Sequence, residues 1–228
     1  MCHMIHMFVI LVSYRARGVQ TFRRNELMGT IENFKTFFES NHLPYKIVIS
    51  EQYNDKKFNR GLLLNAAFLE SEKLFSFEKK YIHMNTDYRF NLSWPCPKEI
   101  LEHQHGFLEL HRNPYPILGS ACVFDPRAFI VSNGFPNDIQ GWGGEDGAIY
   151  DRVIHYKVPL ITPPHLCNSG FIQEIKDQFD NDLSDNIINM HLRLRDDFHF
   201  NGVNSTQYKV DGHGEFHDGI TVFHLLIN

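Results

Sequence analysis

The sequence predicts an α/β fold of the doubly wound type, on three observations. Its first 85 residues alternate apolar runs of strand length with amphipathic stretches of helix length. The runs are continuously apolar, as in parallel strands buried on both faces. Polar, chemistry-bearing residues cluster directly after each run, where such a sheet opens its ligand crevice.

The elements follow in order. Ile5 to Tyr14 reads as a central parallel strand, and Gln20 to Ser40 as a helix whose core stripe is Phe22, Met28, Ile31, Phe34 and Phe38. Tyr45 to Ser50 is a second strand, Gly61 to Phe75 a helix, and Lys80 to Asn85 a third strand. Tyr115 to Phe124 reads as another strand, after which Asp125 as N-cap and Pro126 in the first turn start a short helix to Val131, ending at Gly134. A helix opens at Glu145 and runs to about Tyr156, Val158 to Thr162 is a short strand, and Ser184 to Leu194 is helical. Gln207 to Val210 and Ile220 to Leu226 close the chain as late strands. No repeat, linker or low-complexity tract marks a boundary, so residues 1–228 are expected to form one domain.

Composition narrows the function classes. A formal charge of −5 supplies no generic basic surface and argues against a nucleic-acid partner. The four cysteines, Cys2, Cys96, Cys122 and Cys167, are widely spaced and form no CxxC pair, which fits a reducing compartment rather than a zinc site or disulfide framework. The apolar run Met7 to Val12 is too short for a signal-peptide core or a membrane span, so no membrane segment is expected and the chain reads as soluble. Sequons at Asn91 and Asn204 matter only in a secretory lumen. Among the histidines, His103, His105 and His111 read as surface, and the glycines beside His213 and His217 argue against a helix that would pair them.

Three strand-end segments carry the chemistry: Tyr14-Arg15-Ala16-Arg17, Gln52 to Arg60, and Asn85-Thr86-Asp87. Arg15, Arg17 and Arg60 can grip a diphosphate through bidentate guanidinium contacts, although any one of them also reads as a solvated surface arginine. Asp87 can hold a divalent cation bridging diphosphate oxygens, or simply close a turn. The run GWGGED, Gly141 to Asp146, sets two carboxylates behind an indole and three glycines. A carboxylate can take the proton of an attacking hydroxyl, an indole can cover a sugar ring, and glycines let a loop close over both. The same six residues also read as a Gly-rich turn opening a helix at Glu145, where two acids complement the helix dipole.

Taken together, YRAR at 14–17, FNRGLLLNAAF at 58–68, GFPNDIQGWGGED at 134–146 and NGVNSTQYKV at 201–210 resemble the beta-1,4-galactosyltransferase family in order and spacing, from near residue 5 to near residue 226. The resemblance implies a GT-A fold, a Rossmann-like arrangement with a mixed central sheet flanked by helices. It implies inverting transfer of a sugar from a UDP-sugar donor to a glycan acceptor, generally with Mn2+. Residues to about 95 would bind nucleotide, and those from about 96 would bind acceptor and catalyse. Carried over by motif, Arg15, Arg17, Phe58, Arg60 and Asn85 would hold UDP, and Asp87 would hold both nucleotide and metal. Trp142, Gly143 and Gly144 would form the closing loop, Glu145 would bind acceptor, Asp146 would be the general base, and Asn204 would contribute to the sugar pocket.

The chain departs from the family pattern at several places. Asn85 replaces the first acid of the Asp-X-Asp element, and Gly147 stands where another acid is common. The late metal-binding His has no counterpart; Glu174 falls near its place and Phe171 near a further ligand position. Ile117 occupies a pocket position where galactosyl enzymes carry Tyr and N-acetylgalactosaminyl enzymes a smaller aliphatic residue, so UDP-N-acetylgalactosamine is expected to be used at least as well as UDP-galactose. Ile117 also reads as an ordinary core residue of a strand. The family's anchor, stem and paired lumenal cysteines find no match, with Cys96 lacking its partner near Lys80. The expected location is therefore the cytoplasm, or the Golgi lumen for an excised catalytic domain. A binding module with weakened turnover and a metal-independent transferase are the rival readings.

Overall fold

The computed structural model describes residues 7–15, 21–111, 115–141, 143–175, 186–216 and 220–227. Strand β1 (Met7–Tyr14) sits inside the sheet, paired in parallel with β2 (Tyr45–Gln52) on one side and β3 (Lys79–Met84) on the other. Helix α1 (Thr21–Ser40) connects β1 to β2, and α2 (Arg60–Leu74) connects β2 to β3. The β-α-β-α-β opening therefore forms as expected.

The period of two divides β1 between two cores. Phe8, Ile10 and Val12 join Ile31, Phe34 and Phe38 of α1, while Val9 and Leu11 join the Leu62 to Phe68 stretch of α2. Burial on both faces is why the run is continuously apolar. Met28 corrects the expected stripe: it is exposed, and Leu27 and Phe37 are buried in α1 instead. At about 100° of arc per residue, Leu27, Ile31, Phe34 and Phe38 fall within one narrow stripe, and Met28 lies a quarter-turn outside it. The side chain of Phe22 lies outside the described residues.

Beyond β3 the sheet becomes mixed. The shorter strands are β4 (Tyr88–Phe90), β5 (Phe107–Glu109) and β6 (Ala121–Phe124), with helix α3 (Lys98–Glu102) between β4 and β5. Asp125 caps α4 (Pro126–Val131) by accepting from Ala128 N at 3.1 Å. After α5 (Glu145–His155) come β7 (Leu160–Ile161), α6 (Pro164–Cys167), β8 (Ile172–Glu174), α7 (Asn186–Arg193), β9 (Tyr208–Phe216) and β10 (Ile220–Ile227). The main sheet runs β7-β5-β6-β3-β1-β2-β10-β9, with β6 antiparallel to β3 and β9 antiparallel to β10; β4 and β8 form a separate antiparallel pair.

Two expected strands shrink. Of 115–124 only Ala121–Phe124 is strand, and residues 115–120 run irregularly where Pro116 has no amide hydrogen to give a ladder. Of 158–162 only Leu160–Ile161 pairs, after Pro159. Ile117 is accordingly a half-buried residue of an irregular segment, not a core residue of a strand.

Candidate active site

The carboxyl ends of β1, β2 and β3 bring Arg15, the 52–59 loop and Asn85 to one edge of the sheet. Gln52 shapes the loop from inside. Its Nε2 donates to Lys56 O at 2.9 Å and Lys57 O at 3.2 Å, and its Oε1 accepts from Asn59 N at 2.9 Å. Asn59 then caps α2 by accepting from Leu62 N, 2.9 Å, and donates to Asn137 O, 2.6 Å. Further along α2, Asn65 donates to Phe135 O at 2.7 Å and accepts from Phe135 N at 3.0 Å. A Cβ on Gly61 would stand 2.7 Å from Pro136 O, so that glycine lets α2 lie directly against the 134–141 segment. Gly141 N donates to Phe58 O at 2.8 Å and completes the junction. Two motifs are thus fastened together by buried asparagine amides whose bonds span 78 and 70 residues of chain.

This fastening delivers Arg60 beneath the acidic run. Its Nη1 donates to Asn85 Oδ1 at 2.5 Å, its Nε stands 3.2 Å from Glu145 Oε1, and its Nη2 is paired with Asp146 Oδ1. The Arg60, Glu145 and Asp146 side chains are only 9, 13 and 22% exposed, so the attraction is screened far less than at a surface. Glu145 and Asp146 open α5, and Gly144 before them has φ 92° with no room for a Cβ, which would meet Asn189 O at 2.9 Å. The acidic run starts a helix, and its two carboxylates lie against Arg60. Leu118 N donates to Asp146 O at 2.9 Å, and a methyl on Gly119 would overlap the Asp146 carboxylate. Ile117 lies next to this contact. Gly143 shares the positive φ of Gly144; Arg17 and Trp142 lie outside the described residues.

The Gly147 departure has a physical reason. Arg193 of α7, held by Asp151 through bonds of 2.6 and 2.9 Å, lies across Gly147, and any side chain there would strike its guanidinium. Exposed Asn204 braces the 201–205 turn: its Oδ1 accepts from Asn133 Nδ2 at 3.0 Å and its Nδ2 donates to His199 O at 2.6 Å. Fully buried Arg152 braces the same turn through Asn133 O, Gly134 O and Asn201 O. His103 corrects the expectation of exposure: it is buried, its Nε2 3.1 Å from Gly106 O.

The turn carrying Asp87 is pinned from α1. Thr30 Oγ1 donates to Thr86 O at 2.7 Å, while Arg89 donates to Thr86 O at 2.6 Å and Glu26 O at 2.9 Å. Glu174 lies opposite Tyr88 in the β4–β8 ladder. Two carboxylates beside a nucleotide-side edge suit a hard divalent cation by their chemistry, although among the described residues no three His, Cys, Asp or Glu side chains already converge on one point. Phe171 is fully buried against Phe37 and Phe90 and offers no ligand atom.

The sequence reading missed His83. It is fully buried on β3, its Nδ1 3.5 Å from Leu11 O and its Nε2 without a partner among the described residues. Burial, then the Arg60 charge, pushes its pKa down to about 3. Below the unfolded value near 6.5 the unfolded chain binds a proton that the folded protein refuses, so stability is full above about pH 6.5 and falls towards pH 3. The slope is at most about 1.4 kcal/mol per pH unit. His83→Gln is expected to flatten that part of the curve, and urea melts between pH 4 and 7 measure it.

Comparison with known proteins identifies the family and the fold. Residues 1–87 match the family model described as the N-terminal region of glycosyl transferase group 7, and residues 107–178 match that described as the N-terminal domain of galactosyltransferase; together they span more than half of the chain. Mouse beta-1,4-galactosyltransferase 1 is 26% identical over 220 residues, 92% of this chain and 52% of that protein. Mouse beta-1,4-galactosyltransferase 4 is 28% identical over 169 residues, 71% of this chain and 46% of that protein. The chain thus spans about half the length of these curated relatives. Among solved structures, the catalytic domain of Drosophila beta1,4-galactosyltransferase 7 in complex with xylobiose superposes with TM-score 0.78 at 20% identity, covering 98% of this chain and 95% of that one. A mutant of that enzyme, in complex with manganese, UDP-Gal and xylobiose, matches equally well.

The fold is that of a GT-A glycosyltransferase. Within that class, the chain belongs to the beta-1,4-galactosyltransferase family. Among the described residues no helix is long and apolar enough to cross a membrane.

Proposed function

We propose that this chain is the catalytic domain of an inverting glycosyltransferase that moves galactose or N-acetylgalactosamine from a UDP-sugar to a sugar hydroxyl, β-1,4 to a terminal GlcNAc-like acceptor. The observation that carries the reading is the reach of Arg60 from Asn85 on the nucleotide edge to both Glu145 and Asp146. Support comes from relatives that are beta-1,4-galactosyltransferases and from a neighbour of the same fold that binds UDP-Gal, manganese and xylobiose. Residues to about 95 bind the nucleotide, with Arg15, Phe58, Arg60, Asn85 and Asp87 at the strand ends, and the remainder binds the acceptor. Among the described residues Cys96, Cys122 and Cys167 form no disulfide with one another, which favours a reducing compartment such as the cytoplasm.

Asp146 accepts the proton of the acceptor hydroxyl as its oxygen attacks the anomeric carbon from the face opposite UDP; the bond to the diphosphate breaks, and the sugar is inverted. Glu145 Oε2 is buried with no hydrogen-bond partner among the described residues, and an acceptor hydroxyl would satisfy it. Asp87 and Glu174 would hold Mn2+, which when bound neutralises charge on the departing diphosphate. The Arg60 guanidinium has the same task on the protein side, and the diphosphate competes with Asp146 for it.

UDP release, measured across UDP-galactose and UDP-N-acetylgalactosamine with GlcNAc-type acceptors, tests the reading; absence of release with every donor would leave only binding. With Ile117 half-buried beside Gly119 and Asp146, removal of a phenol there leaves room for a 2-acetamido group. Wild type is expected to use UDP-N-acetylgalactosamine at least as well as UDP-galactose, and Ile117→Tyr to shift the ratio of kcat/KM towards galactose by about 10-fold or more. A strict galactose preference in the wild type would sink the pocket assignment.

A further inference from the structure

A buried imidazole lies directly behind the nucleotide edge. His83 pairs in register with Leu11 of β1 and Cys122 of β6, and both of those face the α2 side of the sheet. Asn85, two residues on, continues the ladder through its amide bond to Ser120 O at 3.1 Å and so falls on the same side. The ring of Phe135 joins the two: its centroid is 5.9 Å from that of His83 and 6.0 Å from the guanidinium carbon of Arg60, whose Nη1 donates to Asn85 Oδ1. A neutral imidazole has one N–H for two ring nitrogens. That hydrogen is assigned to Nδ1, 3.5 Å from Leu11 O, because a bare nitrogen there would face the carbonyl lone pairs. Nε2 is then an acceptor, buried and without a donor among the described residues. Burial and the Arg60 charge keep the ring from taking a second proton. Arg60 meanwhile holds the oxygen of the Asn85 carboxamide, and the hydrogens of the same carboxamide are what Nε2 lacks.

We propose that His83 is a positioning residue for donor binding: when the diphosphate draws the Arg60 guanidinium away, the Asn85 carboxamide turns and donates from Nδ2 to His83 Nε2. The bond holds Asn85 at the nucleotide edge after its present partner has left, and it satisfies the ring nitrogen that the fold leaves bare. Half-buried Asn85, one residue past the end of β3, has the side-chain freedom to make the turn. An ionised carboxylate at position 85 has no hydrogen to give to a neutral imidazole. The His83 and Asn85 pair therefore accounts for an asparagine at the start of the Asn85-Thr86-Asp87 run, where an acid would leave Nε2 unsatisfied. The inference rests on the donor-binding reading above.

The test is nitrogen-15 NMR of the whole chain with labelled histidine at neutral pH, with and without UDP and Mg2+, a diamagnetic ion that keeps the signals sharp. The His83 signals are those missing from His83→Gln. A bare imidazole nitrogen that gains a hydrogen bond moves upfield, so the expected result is an upfield shift of His83 Nε2 on saturation with UDP in wild type and none in Asn85→Asp. Calorimetric titration with UDP gives the energetic readout: His83→Leu is expected to bind at least about 5-fold more weakly, and His83→Gln, whose Oε1 accepts the same hydrogen, to recover most of the loss. In an Asn85→Asp background, His83→Leu should cost nothing further, which a merely structural role for His83 would not produce. The NMR comparison uses the native histidine, so it decides the matter even where His83→Leu does not fold. A His83 Nε2 signal that stays in place while calorimetry shows UDP bound overturns the proposal and leaves the donor reading standing, as does an equal shift in Asn85→Asp. A chain that binds no UDP ends the donor reading and this inference with it.

Discussion

Asp146→Asn is expected to lower transfer by about 10²–10⁴-fold without weakening UDP binding. The two side chains are nearly isosteric, so the amide fills the same space against Gly119 and leaves the Leu118 N to Asp146 O bond of 2.9 Å undisturbed. What is lost is the basic carboxylate to which the proposed mechanism assigns the acceptor's proton. The loss should fall on kcat, because the nucleotide side of the crevice keeps its contacts. Glu145→Gln provides the contrast. Its burden should fall on the acceptor KM, since the role proposed for Glu145 is to bind a hydroxyl rather than to remove its proton. Paired kinetics with donor and acceptor varied separately distinguish the two acids; near-normal turnover in Asp146→Asn would remove Asp146 from the role of base.

The frame was legible because its signals are local and long. A continuously apolar β1 and the helical spacing of Ile31, Phe34 and Phe38 each occupy a window in which a period can be recognised. Strands of three residues, β4, β5 and β8, are too short to display any period, yet the pairing of β4 with β8 sets Tyr88 opposite Glu174. The acids were legible as chemistry, but the partner of Arg60 was not. A guanidinium on a strand-end loop reads as a diphosphate ligand, and nothing local in the sequence signals that Asn59 and Asn65 fasten its helix to residues 135–137 and so carry it under Asp146. For Asn204 the converse holds: an asparagine in a motif reads as a sugar ligand, and its bonds to Asn133 and His199 could not be foreseen from the sequence.

Arg60→Leu is expected to be the most damaging single change in the crevice. Removing the guanidinium strands two largely buried carboxylates next to each other, and loss of one partner from a buried ion pair costs about 3–5 kcal/mol. For a chain of this size, that lowers Tm by roughly 6–20 °C. Arg60→Lys separates charge from geometry. One ammonium restores a positive charge but cannot reach Asn85, Glu145 and Asp146 together, as Nη1, Nε and Nη2 do. Arg60→Lys should therefore recover most of the melting temperature and still bind UDP at least about 10-fold more weakly, because its point charge loses the bidentate grip on diphosphate. Calorimetry and UDP titration of the two variants separate the contributions. A Leu variant that melts with the wild type would mean that Glu145 and Asp146 do not depend on this guanidinium, and the bridge between the nucleotide edge and the acids would lose its energetic basis.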